Sequence, residues 1–475
     1  MPLRPLLTAA LLARAALCAA AQVPLQEYAA RRTALAARLP EGAVLVALGA
    51  RAPRQDYLTF FQAPEFWYLT GFLEPDADLM IVKRGGRMTA TLFVPPRDPA
   101  MEAWTGPRAG LDSAAARTGM PTQRVGEFRA ALDSAIEGAR SVYVVGDLDA
   151  GAARSADDQF VESLDREHLG LLVVNADALV DSLRSRKSAA ELALLRRAID
   201  ITVRAESVAM RTVAPGVPEY RVQAVIEETF RWAGAERPGF ATIVGSGPNA
   251  TSLHHPAGDR VMGAGELVVM DIGASVGGYS GDVTRTVPVS GTFSAEQREL
   301  YQVVRDAQSA AERAAVLNAN DDAMENAAND ALTAGLARLG LIEGVDAVYD
   351  PPKGMCRRRI AKGCSQLSLY YNHGLGHGIG LEVHDPDPWE FAPHRIVPGS
   401  AFTIEPGLYV RANALDVLPD TPRNRAMTAK IRAAFDRYKD LGVRIEDDYF
   451  ATESGVAWIS RGPRELSEVE AAMRR

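Results

Sequence analysis

Five side chains in the second half of the chain are of types that hold metal ions: Asp271, Asp282, His377, Glu405 and Glu446. Three of the acids end or follow apolar runs. Asp271 closes Leu267-Val268-Val269-Met270, Glu405 closes Phe402-Thr403-Ile404, and Glu446 follows Val443-Arg444-Ile445. Such runs read as buried strands, and an ionised carboxylate on a buried strand is costly without a partner. A single strand-end acid is usually solvated or caps a turn; a cluster of them is another matter. The glycine-rich stretch Gly277-Gly278-Tyr279-Ser280-Gly281 separates Asp271 from Asp282. That spacing predicts a tight hairpin with the two acids on neighbouring strands.

His377 lies in the segment HGLGHGIGLEVHD, from His373 to Asp385. Its alternating glycines, each costing about 1 kcal/mol in a helix interior, predict a non-helical backbone built for close approach. Four carboxylates carry four negative charges, which two divalent cations would balance. His377 completes a mostly oxygen donor set, better suited to Mn²⁺ than to structural Zn²⁺. Two ions held close together can activate a water and polarise a carbonyl. The chain has only 7 histidines. His254, His373 and His384 are placed to serve the same site, whereas His255 and His394 read as bystanders.

The elements that must position these groups change character near residue 185. From Val44 to about Val180, short apolar runs alternate with helix-like stretches, which predicts an α/β domain. The runs are Val44–Leu48, Leu79–Val82, Leu92–Val94, Val142–Val145 and Leu171–Val174. Asp181–Ala190 reads as a linker or helix entry. Ser188 with Glu191 three positions on forms a capping-box pattern, and a second helix should begin near Pro218-Glu219. Beyond Phe240, glycines and short apolar runs predict an α+β domain. The expected division is a signal segment over 1–21, an α/β domain over 22–184 and an α+β domain over 185–475.

The net charge of −8 argues against a nucleic-acid partner, and the Arg357–Arg359 block is too short to change that. The first 26 residues hold no Asp or Glu and run from Arg4 through an apolar stretch to Ala19-Ala20-Ala21. That order predicts a secretory signal cut near Ala21, hence export to the periplasm or medium; the alternative is an uncleaved extension on a cytoplasmic protein. No later run reaches the length of a membrane span. With Cys18 removed, Cys356 and Cys364 remain as an even pair, which fits an oxidising compartment and predicts a disulfide between them.

Four segments carry a family resemblance. Met270–Thr286 (MDIGASVGGYSGDVTRT), His373–Asp385, Thr403–Tyr409 (TIEPGLY) and Val443–Asp448 (VRIEDD) resemble the signature segments of the Xaa-Pro aminopeptidases and prolidases, metallopeptidases of the pita-bread (creatinase/aminopeptidase-like) fold. Phe66–Val82 and Leu92–Gly110 resemble the N-terminal domain of aminopeptidase P. The resemblance implies two divalent ions, with Asp271 on one, His377 and Glu405 on the other, and Asp282 and Glu446 bridging. Glu405 would also take a proton from the attacking water. His254 and His384 would contact substrate and the developing oxyanion, His373 would line the proline pocket, and Arg444 would orient Glu446 or Asp282. Trp104 resembles a tryptophan that reaches a neighbouring subunit's active site in tetrameric relatives, so a homo-oligomer, dimer or tetramer, is implied. The implied substrate is a peptide with proline second. A prolidase restricted to Xaa-Pro dipeptides is the alternative, and an inactive pita-bread binding protein a third reading. Segments 344–366 and 411–441 are longer than a minimal member needs.

Overall fold

The short apolar runs of the first half become one six-stranded sheet. Its strands are β1 (Val44–Leu48), β2 (Asp78–Arg84), β3 (Arg87–Val94), β4 (Thr122–Arg124), β5 (Ser141–Val145) and β6 (Leu172–Asn175), in the order β4-β3-β2-β1-β5-β6. β1 pairs antiparallel with β2 and parallel with β5, and all five of its residues are buried. Phe128, Leu132, Ile136 and Leu164 from flanking helices pack onto Val44, Val46, Leu48 and Phe93. Each such side chain contributes about 1.5–3 kcal/mol by leaving water. This computed structural model describes residues 22–55, 58–148 and 154–474; the expected signal segment, with Cys18, lies outside them.

The chain divides into two compact units at Arg184/Ser185. Asp181–Arg184, expected as linker, completes the Asp177–Arg184 helix. Ser188 and Glu191 form the expected capping box on the Ala189–Thr212 helix, and the next helix spans Glu219–Trp232.

In the second unit, Leu267–Ile272 is the centre of a three-stranded antiparallel sheet, between Ile243–Ser246 and Val283–Pro288. The expected tight hairpin between Asp271 and Asp282 forms, with the two acids on neighbouring strands. Ile272 lies opposite Val283, and the same register continues through Ala274–Val276 with Tyr279–Ser280 to a turn at Gly277 and Gly278, at φ 58° and 83°. Two consecutive positive φ angles fit a two-residue turn that only residues such as glycine accept readily. Asp271 therefore pairs with Thr284, and Asp282 sits in the junction just before the returning strand.

The other two acids sit at matching breaks in a second ribbon. Ala401–Ile404 pairs with Asp447–Thr452, and Gly407–Tyr409 pairs with Gly442–Arg444. Glu405 and Glu446 occupy the gaps, where the ladder is interrupted. Glu446 N–H bonds Thr284 O at 3.1 Å, and Thr286 Oγ1 exchanges bonds with Arg444 O and N at 2.8 and 3.0 Å. The two ribbons are thus tied side by side, which brings four acids from distant sequence together.

Segment 344–366 makes a small sheet, Val348–Tyr349, Gly363–Ser365 and Arg359–Ile360. Cys356 and Cys364 are joined in a disulfide with Cα atoms 5.8 Å apart, and Arg357 Nε donates to the His373 carbonyl at 3.1 Å. Segment 411–441 carries the Pro422–Tyr438 helix. Replacing both cysteines by serine should destabilise this loop by at most about 3 kcal/mol. Hydrogen exchange should rise across residues 355–366 while the global unfolding midpoint barely moves; unchanged exchange there would contradict a stabilising disulfide.

Candidate metal centre

The Nε2 atom of His377 is the hub. It lies 3.5 Å from Asp282 Oδ2, 3.6 Å from Glu405 Oε1 and 3.9 Å from Glu446 Oε1. Ligand atoms of Asp282, His377 and Glu446 all fall within 4.8 Å of one another. The Nδ1–H of His377 donates to Gly378 O at 3.0 Å, which leaves Nε2 as a bare acceptor. Burial and the neighbouring His384 depress the His377 pKa to about 4, so the ring is neutral at pH 7, the state a metal ligand needs.

The acids show the opposite shift. Burial, with mutual repulsion behind it, pushes Asp282 and Glu446 well above the ordinary carboxylate range and Glu405 up to about 8. Asp271 Oδ1, Asp282 Oδ1 and Glu446 Oε1 are buried oxygens without a hydrogen-bond partner. Such atoms are rare and costly. Orphaned buried carboxylate oxygens converging on a bare imidazole nitrogen are the donor set of a divalent-cation site, so the residues fit the implied metals.

Arg444 is the one arginine bonded to this group of acids among the described residues, and its partners differ from expectation. Its Nη2 bonds Asp271 Oδ2 at 2.5 Å and the Leu253 carbonyl at 3.3 Å, not Asp282. It reaches Glu446 only through Thr284. Arg444 Nε donates to Thr284 Oγ1 at 3.2 Å, which in turn donates to Glu446 Oε2 at 2.6 Å. The side chain points back across the ribbon to the Asp271 strand, which the register Asp271↔Thr284 brings alongside it.

His373 lies beside this group. Its Nδ1 bonds Gly374 O at 2.8 Å and stands 3.5 Å from Glu405 Oε2. Its Nε2 meets the Tyr409 hydroxyl at 2.8 Å, which also accepts from Arg444 Nη1 at 2.9 Å. Tyr409 thus links the arginine to the histidine; its only signal in the sequence was its place at the end of TIEPGLY. Burial and the Arg444 charge lower the His373 pKa to about 3. His384 stacks on His377 with ring centroids 4.0 Å apart. His254 is exposed on the loop after Thr251, and burial, with His254 nearby as a lesser influence, lowers the His384 pKa. Trp104 stands in the first unit, 77% exposed on the Pro99–Thr105 helix. His255 bonds the buried Glu219 at 3.0 Å, and His394 is exposed beside the Trp389 carbonyl; neither faces the centre.

Three glycines of the histidine segment, Gly376, Gly378 and Gly380, are needed for packing. A Cβ on Gly376 would stand 2.1 Å from Thr403 O, and one on Gly380 2.3 Å from the Asp385 carboxylate. The segment is a loop held by isolated bridges from Gly378 to Asp385 and Phe402.

Comparison with known proteins agrees with this geometry. Residues 193–453 match the model of metallopeptidase family M24, and residues 28–143 that of the aminopeptidase P N-terminal domain. The chain is 31% identical to the Xaa-Pro aminopeptidase of Haemophilus influenzae, covering 95% of this chain and 98% of the relative. It is 30% identical to that of Escherichia coli, at 96% and 99% coverage. Among solved structures, it resembles the Pseudomonas aeruginosa aminopeptidase PepP with a TM-score of 0.77 and 32% identity. It resembles Escherichia coli aminopeptidase P with the inhibitor Pro-Leu at a TM-score of 0.79 and 30% identity; both matches cover 95% of this chain and 98% of the other. On the family match, the near full-length relatives and the assembled acid–histidine centre, the chain belongs to metallopeptidase family M24 and carries the aminopeptidase P N-terminal domain.

Proposed function

We propose that this protein is a metal-dependent Xaa-Pro aminopeptidase that releases an N-terminal residue preceding proline. The observation that carries this reading is the retention of all five side chains of the expected ligand set, three of whose acids keep a buried oxygen without a hydrogen-bond partner; an inactive binding protein has no reason to keep them. Divalent ions held by Asp271, Asp282, His377, Glu405 and Glu446 would activate a water and polarise the scissile carbonyl. The oxygen-rich donor set favours two ions and suits Mn²⁺.

The chain's own residues then do the following. Glu405 accepts a proton from the water as it adds to the carbonyl carbon. The C–N bond to proline breaks, and that proton passes to the prolyl nitrogen. His254 and His384 donate to the carbonyl oxygen as charge develops on it. Arg444 fixes Asp271 directly and His373 through Tyr409, so one guanidinium holds both the ligand and the pocket wall. The substrate's α-amino group seats near Asp271, which restricts cleavage to the first bond. Proline has no N–H and a fixed φ. A site that uses neither feature accepts it, and the ring is selected by the pocket beside His373.

The disulfide supports export to an oxidising compartment. The exposed Trp104 supports a dimer or tetramer in which that side chain meets another copy. The decisive assay compares three peptides. Ala-Pro-Ala should be cut between Ala and Pro more than about tenfold faster than Ala-Ala-Ala, a pocket-selectivity difference of about 1–3 kcal/mol. N-acetyl-Ala-Pro-Ala should resist. Equal rates on the first two, or ready cleavage of the third, would overturn the reading. Turnover of Ala-Pro with failure on the tripeptide would instead mark a prolidase.

A further inference from the structure

Behind the histidine loop is a buried ion pair that the mechanism above does not use. Lys187 Nζ lies 2.9 Å from Asp385 Oδ2, with the two side chains 1% and 2% exposed. Lys187 directly precedes Ser188, the N-cap of the Ala189–Thr212 helix, and its own N–H bonds Gly399 O at 2.8 Å. The lysine therefore projects from a backbone fixed at both ends.

Asp385 is where the loop converges. Its carboxylate receives the Glu382 N–H at 3.2 Å and packs against Gly380 too closely for any Cβ. Its N–H donates to Gly378 O at 2.9 Å. That same carbonyl accepts the Nδ1–H of His377 at 3.0 Å, so Gly378 O joins Asp385 to the ring that presents Nε2 to the acids. The residue before Asp385 is His384, stacked on His377. Gly378 N–H is held separately by Asp387 Oδ1 at 2.6 Å. Through Asp385, one lysine from the start of the second unit is tied to the tautomer-setting acceptor of one histidine and to the backbone of another.

We propose that Lys187 and Asp385 are positioning residues: their buried ion pair sets the orientation of His377 and His384, and through them metal affinity and turnover. The physical basis is that a ligating histidine is only as well placed as the acceptor of its other ring nitrogen. A buried ion pair can fix that acceptor, because breaking it separates two opposite charges inside the protein, which is costly. The proposal rests on the metal-site reading, and its test is arranged so that the two can fail separately.

The test uses the full chain as Asp385→Asn, which keeps the shape, Lys187→Met, and the double variant Lys187→Met/Asp385→Leu, which removes both charges. Three quantities are measured: the thermal midpoint of metal-free protein, the Mn²⁺ dissociation constant by titration, and kcat and KM on Ala-Pro-Ala. Each single variant should lose stability, because one buried charge loses its opposite charge. Each should weaken Mn²⁺ binding about tenfold, in the range carried by groups that hydrogen-bond to a metal ligand, and lower kcat about tenfold with KM within threefold. The double variant should recover the midpoint but neither the Mn²⁺ affinity nor kcat. A double variant with wild-type affinity and kcat would reduce the pair to a structural role and overturn the proposal. Wild-type affinity and kcat in Asp385→Asn would do the same. If wild-type protein fails to cut Ala-Pro-Ala, the aminopeptidase reading falls, while the Mn²⁺ titration still decides the positioning claim.

Discussion

Asp282→Ala should abolish turnover. Its two oxygens are one near His377 Nε2 and one orphaned in the interior, so no other side chain replaces it in the cluster. Removing the charge stabilisation of such a site costs several kcal/mol in the transition state, so about 4 kcal/mol corresponds to a fall of roughly 10³-fold in kcat/KM. On the proposed two-ion reading, elemental analysis should find about two divalent ions per chain in the wild type and neither in the variant, because a ligand shared by both ions would be lost to each. A variant that keeps both ions and near-normal turnover would contradict the assignment. A fully active wild type with one ion per chain would sink the two-ion reading while sparing the family.

Chelated protein should lose stability between about pH 6.5 and pH 8. The sign follows from which state binds more protons. Burial raises Glu405 from its ordinary 4.5 to about 8, and raises Asp282 and Glu446 in the same direction. Across that window the metal-free fold holds protons that the unfolded chain has released, so stability falls as pH rises. Glu405 alone contributes up to about 1.4 kcal/mol per pH unit. His373 and His377 act oppositely: their folded pKa values, about 3 and about 4, lie below the ordinary 6.5. They offset the acids most strongly below pH 6.5, and their effect fades over about one pH unit above it. Thermal unfolding after EDTA treatment should therefore give a lower midpoint at pH 8 than at pH 6.5. Reloading with Mn²⁺ should raise the midpoint most at pH 8, where the ligands deprotonate most readily. A chelated protein at least as stable at pH 8 would refute the picture of mutually repelling acids.

The same repulsion explains what was legible in advance. The candidate ligand set could be read from the sequence because three of the acids sit at the end of a short apolar run, where a charge demands a partner, and Asp282 follows the glycine-rich turn that returns the chain beside Asp271. The histidine loop could be read because alternating glycines exclude a helix and signal close contact, which Gly376 and Gly380 show in full. The hairpin between Asp271 and Asp282 could be read for an equally local reason. The Gly277-Gly278 turn sets one register, which runs from Val276↔Tyr279 to Ile272↔Val283 and carries the acids on neighbouring strands.

What the sequence determined, then, was the identity of the chemical groups and their local backbone: five side chains of metal-ligand type, the caps of the helix at Ala189 and the disulfide partners. These depend on residue type and near neighbours, which a linear reading contains. The tertiary structure alone decided which group holds which. Arg444 reaches Asp271 across 173 residues of sequence, rather than the acid two positions away. Tyr409 connects it to His373, and Lys187 meets Asp385. Each of these contacts depends on strand register and on how two ribbons lie side by side. Those are set by the summed packing of the whole unit, which no single segment encodes.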